Sequence, residues 1–282
     1  MAALPHALIA RAALRPLRLR GRAGRGAARM GRRALRSMRG APPIVQLVGG
    51  ILLLLILWVP VNWLVQVVRK PAEVYGAVSV SRAKVPAETW QEYGALFDTH
   101  STAVVTPELL AALAQIESSG NPAALTYWRW RFSWNPFNVY RPASSAVGMF
   151  QLTDGTFAEA RKYCVHDHVV VEDGPWHDLQ SCWFNALYTR VVAGHAVEMT
   201  AALLDRTVAR ILERHRITTA SLRQRQDLAA VIHLCGGGAA DGYARRGFRF
   251  TRGQRCGDHD PRGYLARVNA LKRQFASLAA TD

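Results

Sequence analysis

Residues 44–68 form a run of 25 residues without a charge, and this run limits how the chain can fold more than any other feature. As an α-helix rising 1.5 Å per residue it would extend roughly 37 Å, which is enough to cross the hydrocarbon core of a bilayer. Trp58 and Trp63 suit a lipid–water interface, and Pro60 is expected to kink or end the helix near that interface. The sequence therefore predicts a single transmembrane helix at residues 44–68.

The segment before this run, residues 1–43, contains eleven arginines and no lysine, aspartate or glutamate. Removing those eleven charges from the formal net charge of +16 leaves only +5 for the rest of the chain. A segment so rich in Arg, Gly and Ala is expected to be a disordered arm. By the positive-inside rule, the arm lies in the cytoplasm and residues 71–282 lie on the other side of the membrane.

Three alternatives exist for the basic arm and the apolar run. The arm alone has the composition of a nucleic-acid-binding segment or of a transit peptide. The apolar run could belong to a long, cleaved signal peptide, but it exceeds the usual signal core and no clear cleavage site follows it. Membrane topology and attraction to anionic lipids already explain the arginines, so no nucleic-acid partner is expected.

The exported part is predicted to be mainly α-helical, because apolar residues recur at helical spacing in seven segments. These segments are residues 87–98, 107–119, 156–163, 179–193, 197–214, 222–234 and 262–278. Only the short run at residues 169–171 is expected to be a strand. The predicted organisation is the arm at residues 1–43, the transmembrane helix at 44–68, a linker with a preceding helix at 69–99, and a catalytic domain at 100–282.

All four cysteines lie in the part of the chain that is expected to be exported, where disulfides are permitted. They are Cys164, Cys182, Cys235 and Cys256. Their order suggests that Cys164 pairs with Cys182 and Cys235 with Cys256, although four cysteines allow three pairings. Three histidines near the first two cysteines make a metal site an alternative, but the spacing matches no zinc motif. No metal and no cofactor is therefore predicted.

The helix predicted at residues 107–119 places an acidic side chain on its apolar face. It follows a typical N-cap residue, Thr106, and stops at Gly120. Glu117 follows two leucines by four and seven residues, so it should face the interior or the wall of a cleft. A carboxyl group there suits a general acid, whereas the alternative is a residue at the edge of the apolar face with its carboxylate in water.

The segment after this helix, residues 127–140, contains seven aromatic residues and two arginines. Aromatic faces stack on sugar rings, and Arg and Asn hydrogen-bond hydroxyl and acidic groups, so the segment suits the wall of a carbohydrate cleft. A loop or hairpin that covers the core, or a patch that lies on the membrane, explains the aromatic residues equally well.

Motif residues of one known family occur downstream in the family's order. They are Glu117-Ser118, Ala146, Gly148-Met149-Phe150-Gln151, Thr156 and, at the start of the last helix, Tyr264. This pattern resembles the soluble lytic transglycosylase family, which has a lysozyme-like fold, and the resemblance covers roughly residues 100–275. His233 and Leu234 depart from the family pattern, because they stand where a tyrosine and an asparagine are usual.

The resemblance implies a lysozyme-like helical domain that cleaves the β-1,4 bond between N-acetylmuramic acid and N-acetylglucosamine in peptidoglycan. Glu117 would be the single general acid and base, because the muramyl 6-hydroxyl attacks intramolecularly and yields a 1,6-anhydro product. Most glycosidases need two carboxylates. The candidate substrate-binding residues are Ser118, Gly148, Met149, Phe150, Gln151, His233 and Tyr264. Their structural alternatives are a helix cap for the serine, a turn for the glycine, loop support for the glutamine, and packing for the others.

Topology and resemblance together predict a single-pass protein of the bacterial inner membrane with its catalytic domain in the periplasm. The expected partners are peptidoglycan glycan strands, the membrane through residues 44–68, and an envelope-spanning secretion or conjugation complex. Two other functions fit the same motifs, namely a muramidase that hydrolyses the bond with water and a non-catalytic peptidoglycan-binding scaffold.

Overall fold

The computed structural model describes residues 40–70, 74, 83–178 and 180–281. The predicted arginine-rich arm lies outside the described residues except for positions 40–43, and so does most of the predicted linker. The described residues form seven α-helices, two short antiparallel strand pairs and two 3-10 helices. The mainly α-helical architecture predicted from the sequence is confirmed.

Helix α1 (Pro43–Arg69) contains the uncharged run and continues through Pro60. Its most apolar window has a mean hydropathy of 2.6 and none of that window is buried, so the helix is long and apolar enough to cross a membrane. The helix does not end at Pro60, although a proline inside a helix removes one backbone hydrogen bond and its ring crowds the preceding turn. The chain divides into two compact units after Asn62, so the end of α1 from Trp63 onward belongs to the second unit.

Helix α3 (Pro107–Ser118) lies in the core of the second unit. Its residues 109–114 have no exposed surface, so the helix is enclosed on all sides through its middle turns. Helices α2 (Pro86–Thr99) and α7 (Pro261–Ala279) pack against it. Helices α5 (Ala193–Arg214) and α6 (Leu222–Arg245) pack against each other and complete most of the apolar core.

Helix α3 begins and ends where the sequence indicates. Thr106 is the N-cap, and Ser119 takes the left-handed conformation with a φ of 53°. Gly120 follows with a φ of +69°, and its N–H donates to the carbonyl oxygen of Ala114 at 3.2 Å, so two consecutive left-handed residues end the helix. A Cβ at Gly120 would lie 2.4 Å from the Thr89 hydroxyl oxygen, so the stop requires glycine. This ending places Glu117 in the last turn.

The four strands are short and three of them are not predicted by the sequence pattern. Strand β1 (Trp128–Trp130) pairs with β2 (Tyr140–Pro142), and β3 (Tyr163–His166) pairs with β4 (Val169–Glu172). Only β4 coincides with the predicted strand. With three or four residues each, these strands are too short for an alternating pattern to be distinctive.

Three of the helix predictions need correction. Helix α6 (Leu222–Arg245) continues beyond the predicted end at residue 234, across the break at Gly236. Helix α4 (Asp154–Ala160) ends earlier than predicted, because the chain turns there into strand β3. The helix predicted at residues 179–193 is wrong, since the described part of this segment has only the 3-10 helix Trp183–Leu187 followed by a loop. Cys182, just before that short helix, is bonded to β3, and this covalent tie holds the segment against the strand pair.

Both disulfides join cysteines that are neighbours in the sequence. Cys164 is bonded to Cys182, and Cys235 is bonded to Cys256. The alternative metal site near the first pair therefore has no free thiolate to offer. The second bond joins α6 to the loop before α7, close to Gly236, where a φ of 77° breaks the regular helix.

Candidate active site

Glu117 brings a carboxylate from the buried helix α3 to the surface of the domain. Its side chain is 20% exposed, whereas the leucines of the same helix have no exposed surface. The Tyr264 hydroxyl donates to Glu117 Oε1 at 2.7 Å, and His233 Nε2 lies 3.6 Å from the same oxygen. None of the described residues hydrogen-bonds Oε2, so this oxygen is available to an external group.

Tyr264 lies in the first turn of α7, after Pro261 and the N-cap Asp260. The Asp260 side chain accepts from two backbone N–H groups, which fixes the start of the helix and the direction of the tyrosine. Burial, together with the Glu117 carboxylate, raises the pKa of Tyr264 well above its ordinary value. The hydroxyl therefore stays protonated at any physiological pH and acts as a permanent donor to Glu117.

His233 projects from α6 toward the same carboxylate. Its side chain is 9% exposed, and its ring packs edge-to-face on Phe150 with the centroids 6.5 Å apart. The 3.6 Å separation from Glu117 is longer than a good hydrogen bond, so the imidazole lies beside the carboxylate without a close bond to it. The structure thus brings His233 and Tyr264 to one oxygen from two different helices.

The loop that contains Gly148 is fixed to helix α3 and to the segment that follows α3. The Ser118 hydroxyl donates to the Met149 carbonyl oxygen at 2.8 Å, and the Gly148 N–H donates to Ala124 at 2.8 Å. Gly148 has a φ of +83°, and a Cβ there would lie 2.0 Å from the carbonyl oxygen of Arg190. Only glycine can allow this close approach.

Gln151 supports the same loop from within. Its side-chain amide donates to the carbonyl oxygens of Gly148 at 3.0 Å and of Ala124 at 3.2 Å, and its own φ is +48°. These bonds correspond to the loop-supporting role that the sequence left open, while the side chain also lines the neighbouring cavity.

Met149 and Phe150 have no exposed surface. Both belong to the core, and the Phe150 ring packs on His233. Their contact with substrate stays a prediction, and the burial of both side chains does not support it. Their neighbours in the motif, Gly148 and Gln151, are held in place by this packing.

A cavity of about 240 Å³ is lined by His233, the residue that faces Glu117, although Glu117 itself is not part of the lining. It lies between the Gln151 loop, helix α5 and the broken part of α6. Its lining comprises Gln151, Leu152, Thr153, Thr156, Thr200, Leu203, Leu204, Ile232, His233, Leu234 and Gly236. Hydroxyl groups and aliphatic faces together suit a ring with polar edges and apolar faces. Two larger depressions, of about 420 and 440 Å³, lie around α2, α3, α6 and α7 and include none of these residues.

The sequence pattern does not reveal Arg190, which holds the site loop together. Its guanidinium donates to the carbonyl oxygens of Ser145 and Leu152, both at 2.8 Å, and packs over the Phe157 ring. It also forms an ion pair with Asp154 at 2.8 Å. Arg190 lies in the segment that was wrongly expected to be helical, and no motif spacing marks it.

Comparison with known protein families shows that residues 96–172 match the model of the transglycosylase SLT domain. The matched part contains Glu117 and the loop with Gly148 and Gln151, whereas His233 and Tyr264 lie outside it. The resemblance inferred from the motifs is confirmed for this part of the chain. Searches of curated proteins and of solved structures find no match for the chain. The family supports a peptidoglycan-acting function of the lytic transglycosylase type.

Proposed function

We propose that this SLT-domain chain is a lytic transglycosylase that cleaves the β-1,4 bond between N-acetylmuramic acid and N-acetylglucosamine and leaves a 1,6-anhydromuramyl end. The arrangement of Glu117 carries the proposal. Its carboxylate stands at the end of an enclosed helix, with Oε1 held by Tyr264 and Oε2 open to an external group. A general acid needs this combination of a fixed direction and an accessible oxygen.

In the proposed reaction, Glu117 acts twice. Its carboxyl group first donates a proton to the glycosidic oxygen, so that the bond from the muramyl anomeric carbon to that oxygen breaks. The 6-hydroxyl oxygen of the same muramyl residue then bonds to the anomeric carbon, and its proton returns to the Glu117 carboxylate. No water is consumed, and the enzyme ends in its starting protonation state.

Two other carboxylates of the domain, those of Asp154 and Glu198, are already engaged by neighbouring groups of the fold. Asp154 forms an ion pair with Arg190. Glu198 is buried and accepts hydrogen bonds from the Val165 N–H and the Tyr188 hydroxyl. Since both carboxylates have partners of their own, neither is a good candidate for the second carboxylate that hydrolytic glycosidases use.

The remaining predicted site residues take supporting roles in this proposal. His233 lines the cavity beside Glu117 and would contact a bound sugar, in the place of the family's usual tyrosine. Ser118, Gly148 and Gln151 hold the loop that faces the acid. Met149 and Phe150 pack below it.

We also propose that α1 anchors the enzyme in the inner membrane of a bacterium, with residues 1–43 in the cytoplasm, residues 69–99 joining anchor to domain, and residues 100–282 acting on periplasmic glycan strands. The length and apolar surface of α1 support the anchor. By analogy with the family, the proposal includes that the enzyme opens the wall locally for an envelope-spanning secretion or conjugation complex.

The mass of the released muropeptides tests the reaction type. Purified sacculi treated with the full-length protein should release fragments whose muramyl ends lack the elements of one water and resist borohydride reduction, because the 6-hydroxyl and not water attacks. Fragments with ordinary reducing ends alone would assign the chain to the hydrolytic muramidases.

Replacing Tyr264 with phenylalanine should slow the reaction without unfolding the domain. The variant loses the donor to Glu117 Oε1, and hydrogen bonds to charged groups contribute about 1.5–3 kcal/mol, so kcat should fall roughly 10- to 100-fold with little change in KM. Muropeptide release over a range of pH values measures kcat and shows whether its alkaline limb moves, since a general acid is inactive once it has lost its proton.

Tyr243→Phe provides the matched control, because Tyr243 is also buried but packs on Phe248 and Phe250 in the core. This control should keep kcat and its pH profile. An equal loss of kcat in the two variants would contradict the positioning role of Tyr264. A normal kcat with an unchanged pH profile for Tyr264→Phe would contradict it as well.

A further inference from the structure

The turn between β1 and β2, residues 131–139, exposes two large aromatic rings. Phe132 is 89% and Trp134 is 94% exposed, and the two rings contact each other edge-to-face with centroids 5.9 Å apart. We call residues 131–139 the aromatic turn. Neighbouring exposed apolar side chains on a folded domain often mark a site that binds a membrane or another protein.

The aromatic turn is bonded directly to the end of α1. The Gln66 side-chain amide donates to the Phe137 carbonyl oxygen, and the Arg69 guanidinium donates to the Asn138 side chain at 2.9 Å. Arg69 is the first charged residue after the uncharged run. If α1 spans a membrane, the boundary between the hydrocarbon core and the headgroups is therefore near this residue. In such a membrane the aromatic turn would lie at the depth where tryptophan is most favourable.

Lys70 also ties the end of α1 to the segment that follows the β1–β2 hairpin. Its ammonium group donates to the carbonyl oxygens of Ser144 at 3.1 Å and Ala146 at 3.2 Å, just after β2. Gln66 and Arg69 of α1 thus hold the aromatic turn, and Lys70 holds the segment that leads to the Gly148 loop.

The charges on the hairpin favour an anionic surface. Arg129 and Arg141 stand directly opposite each other in the β1–β2 register, and like charges in this position repel. The side chains of Trp128 and Trp130 lie on the other face of the pair and pack on Tyr140, with centroids 5.2 and 4.7 Å away. Lipid phosphates beside the two arginines would relieve their repulsion while the rings of the turn enter the lipid.

We propose that the aromatic turn inserts Phe132 and Trp134 into the headgroup region of the membrane that α1 spans. The domain is then fixed on the membrane surface and not suspended from a free linker. In this proposal the exposed rings of Phe132 and Trp134 contact lipid and do not form the wall of a glycan cleft. The inference depends on α1 lying in a bilayer and is independent of the proposed catalysis.

Quenching by brominated lipids tests the proposal in the full-length protein, reconstituted into vesicles of phosphatidylethanolamine and phosphatidylglycerol. Trp58 and Trp63 are first replaced with phenylalanine, so that α1 contributes no quenched signal. Lipids brominated near the headgroup end of their acyl chains should then quench part of the remaining fluorescence. Trp134→Phe should remove that part, whereas Trp176→Phe, which deletes an exposed tryptophan on another loop, should leave it.

Arg129→Glu supplies a second variant that does not weaken the fold, because the new carboxylate faces Arg141 across the strand pair. In this variant the quenching of Trp134 should lose its dependence on the phosphatidylglycerol fraction. Glycan wall material that protects Trp134 from aqueous acrylamide, with no quenching by brominated lipid, would overturn the proposal. Equal effects of Trp134→Phe and Trp176→Phe would overturn it as well. Muropeptide release, measured separately, reports on catalysis and leaves these outcomes unaffected.

Discussion

Replacing Glu117 with glutamine should reduce muropeptide release from purified sacculi by about 100- to 10,000-fold, the range that general acid–base catalysis contributes. Glutamine has nearly the same shape as glutamate but cannot donate a proton to the glycosidic oxygen. Its side-chain oxygen can still accept the hydrogen bond from Tyr264, so the fold and the cavity should persist. The rate is measured as released muropeptide mass per unit time at fixed protein concentration.

Glu213→Gln is the matched control, because Glu213 is exposed near the end of α5 and far in sequence from the site loop. It should keep full activity. If Glu117→Gln retained normal release, the proposed catalytic role would fail, and a peptidoglycan-binding scaffold would become the better description of the chain. Unchanged binding of Glu117→Gln to sacculi would separate lost chemistry from lost recognition.

Replacing Gly148 with alanine should destabilise the domain by about 2–6 kcal/mol. A φ of +83° strains any residue with a Cβ by about 1–3 kcal/mol, and the new atom would lie 2.0 Å from the Arg190 carbonyl oxygen, adding about 1–3 kcal/mol of overpacking. Relieving this clash must move Arg190, which also holds Ser145 and Leu152. The free energy of unfolding from urea titration measures the loss.

Gly155→Ala is the control for this substitution. Gly155 lies in the first turn of α4 and a Cβ there meets nothing within 4 Å, so alanine should be neutral or stabilising by about 0.4–1 kcal/mol. Equal unfolding free energies for the two alanine variants would mean that the close approach at Gly148 does not constrain the loop as described.

Helix α3 illustrates what local sequence rules can predict. The N-cap at Thr106, the stop at Gly120 and the place of Glu117 in the last turn all follow from side-chain chemistry within one helical segment. The same holds for α1, where the uncharged run alone gives length and apolarity. These features depend on residues a few positions apart, so the sequence shows them directly.

The segment from Cys182 to Arg190 illustrates what local rules miss. Its spacing is compatible with a helix, but the bond to Cys164 and the contacts of Arg190 with the site loop hold it in an irregular path. Those constraints come from residues 18 to 45 positions away, so the local sequence of the segment cannot predict them. The buried state of Met149 and Phe150 likewise depends on packing from several helices.

By itself, the sequence determined an apolar helix, a mainly helical domain, and an acid at the end of one helix followed by a Gly-x-x-Gln loop. The tertiary structure decided which partners surround that acid: Tyr264, 147 positions away, holds one oxygen of Glu117, and His233 faces the same oxygen from α6. It also decided that the aromatic turn meets the end of α1. The division has a physical cause, since caps and periodicity act within a few residues, whereas hydrogen bonds between distant segments exist only after the helices have packed.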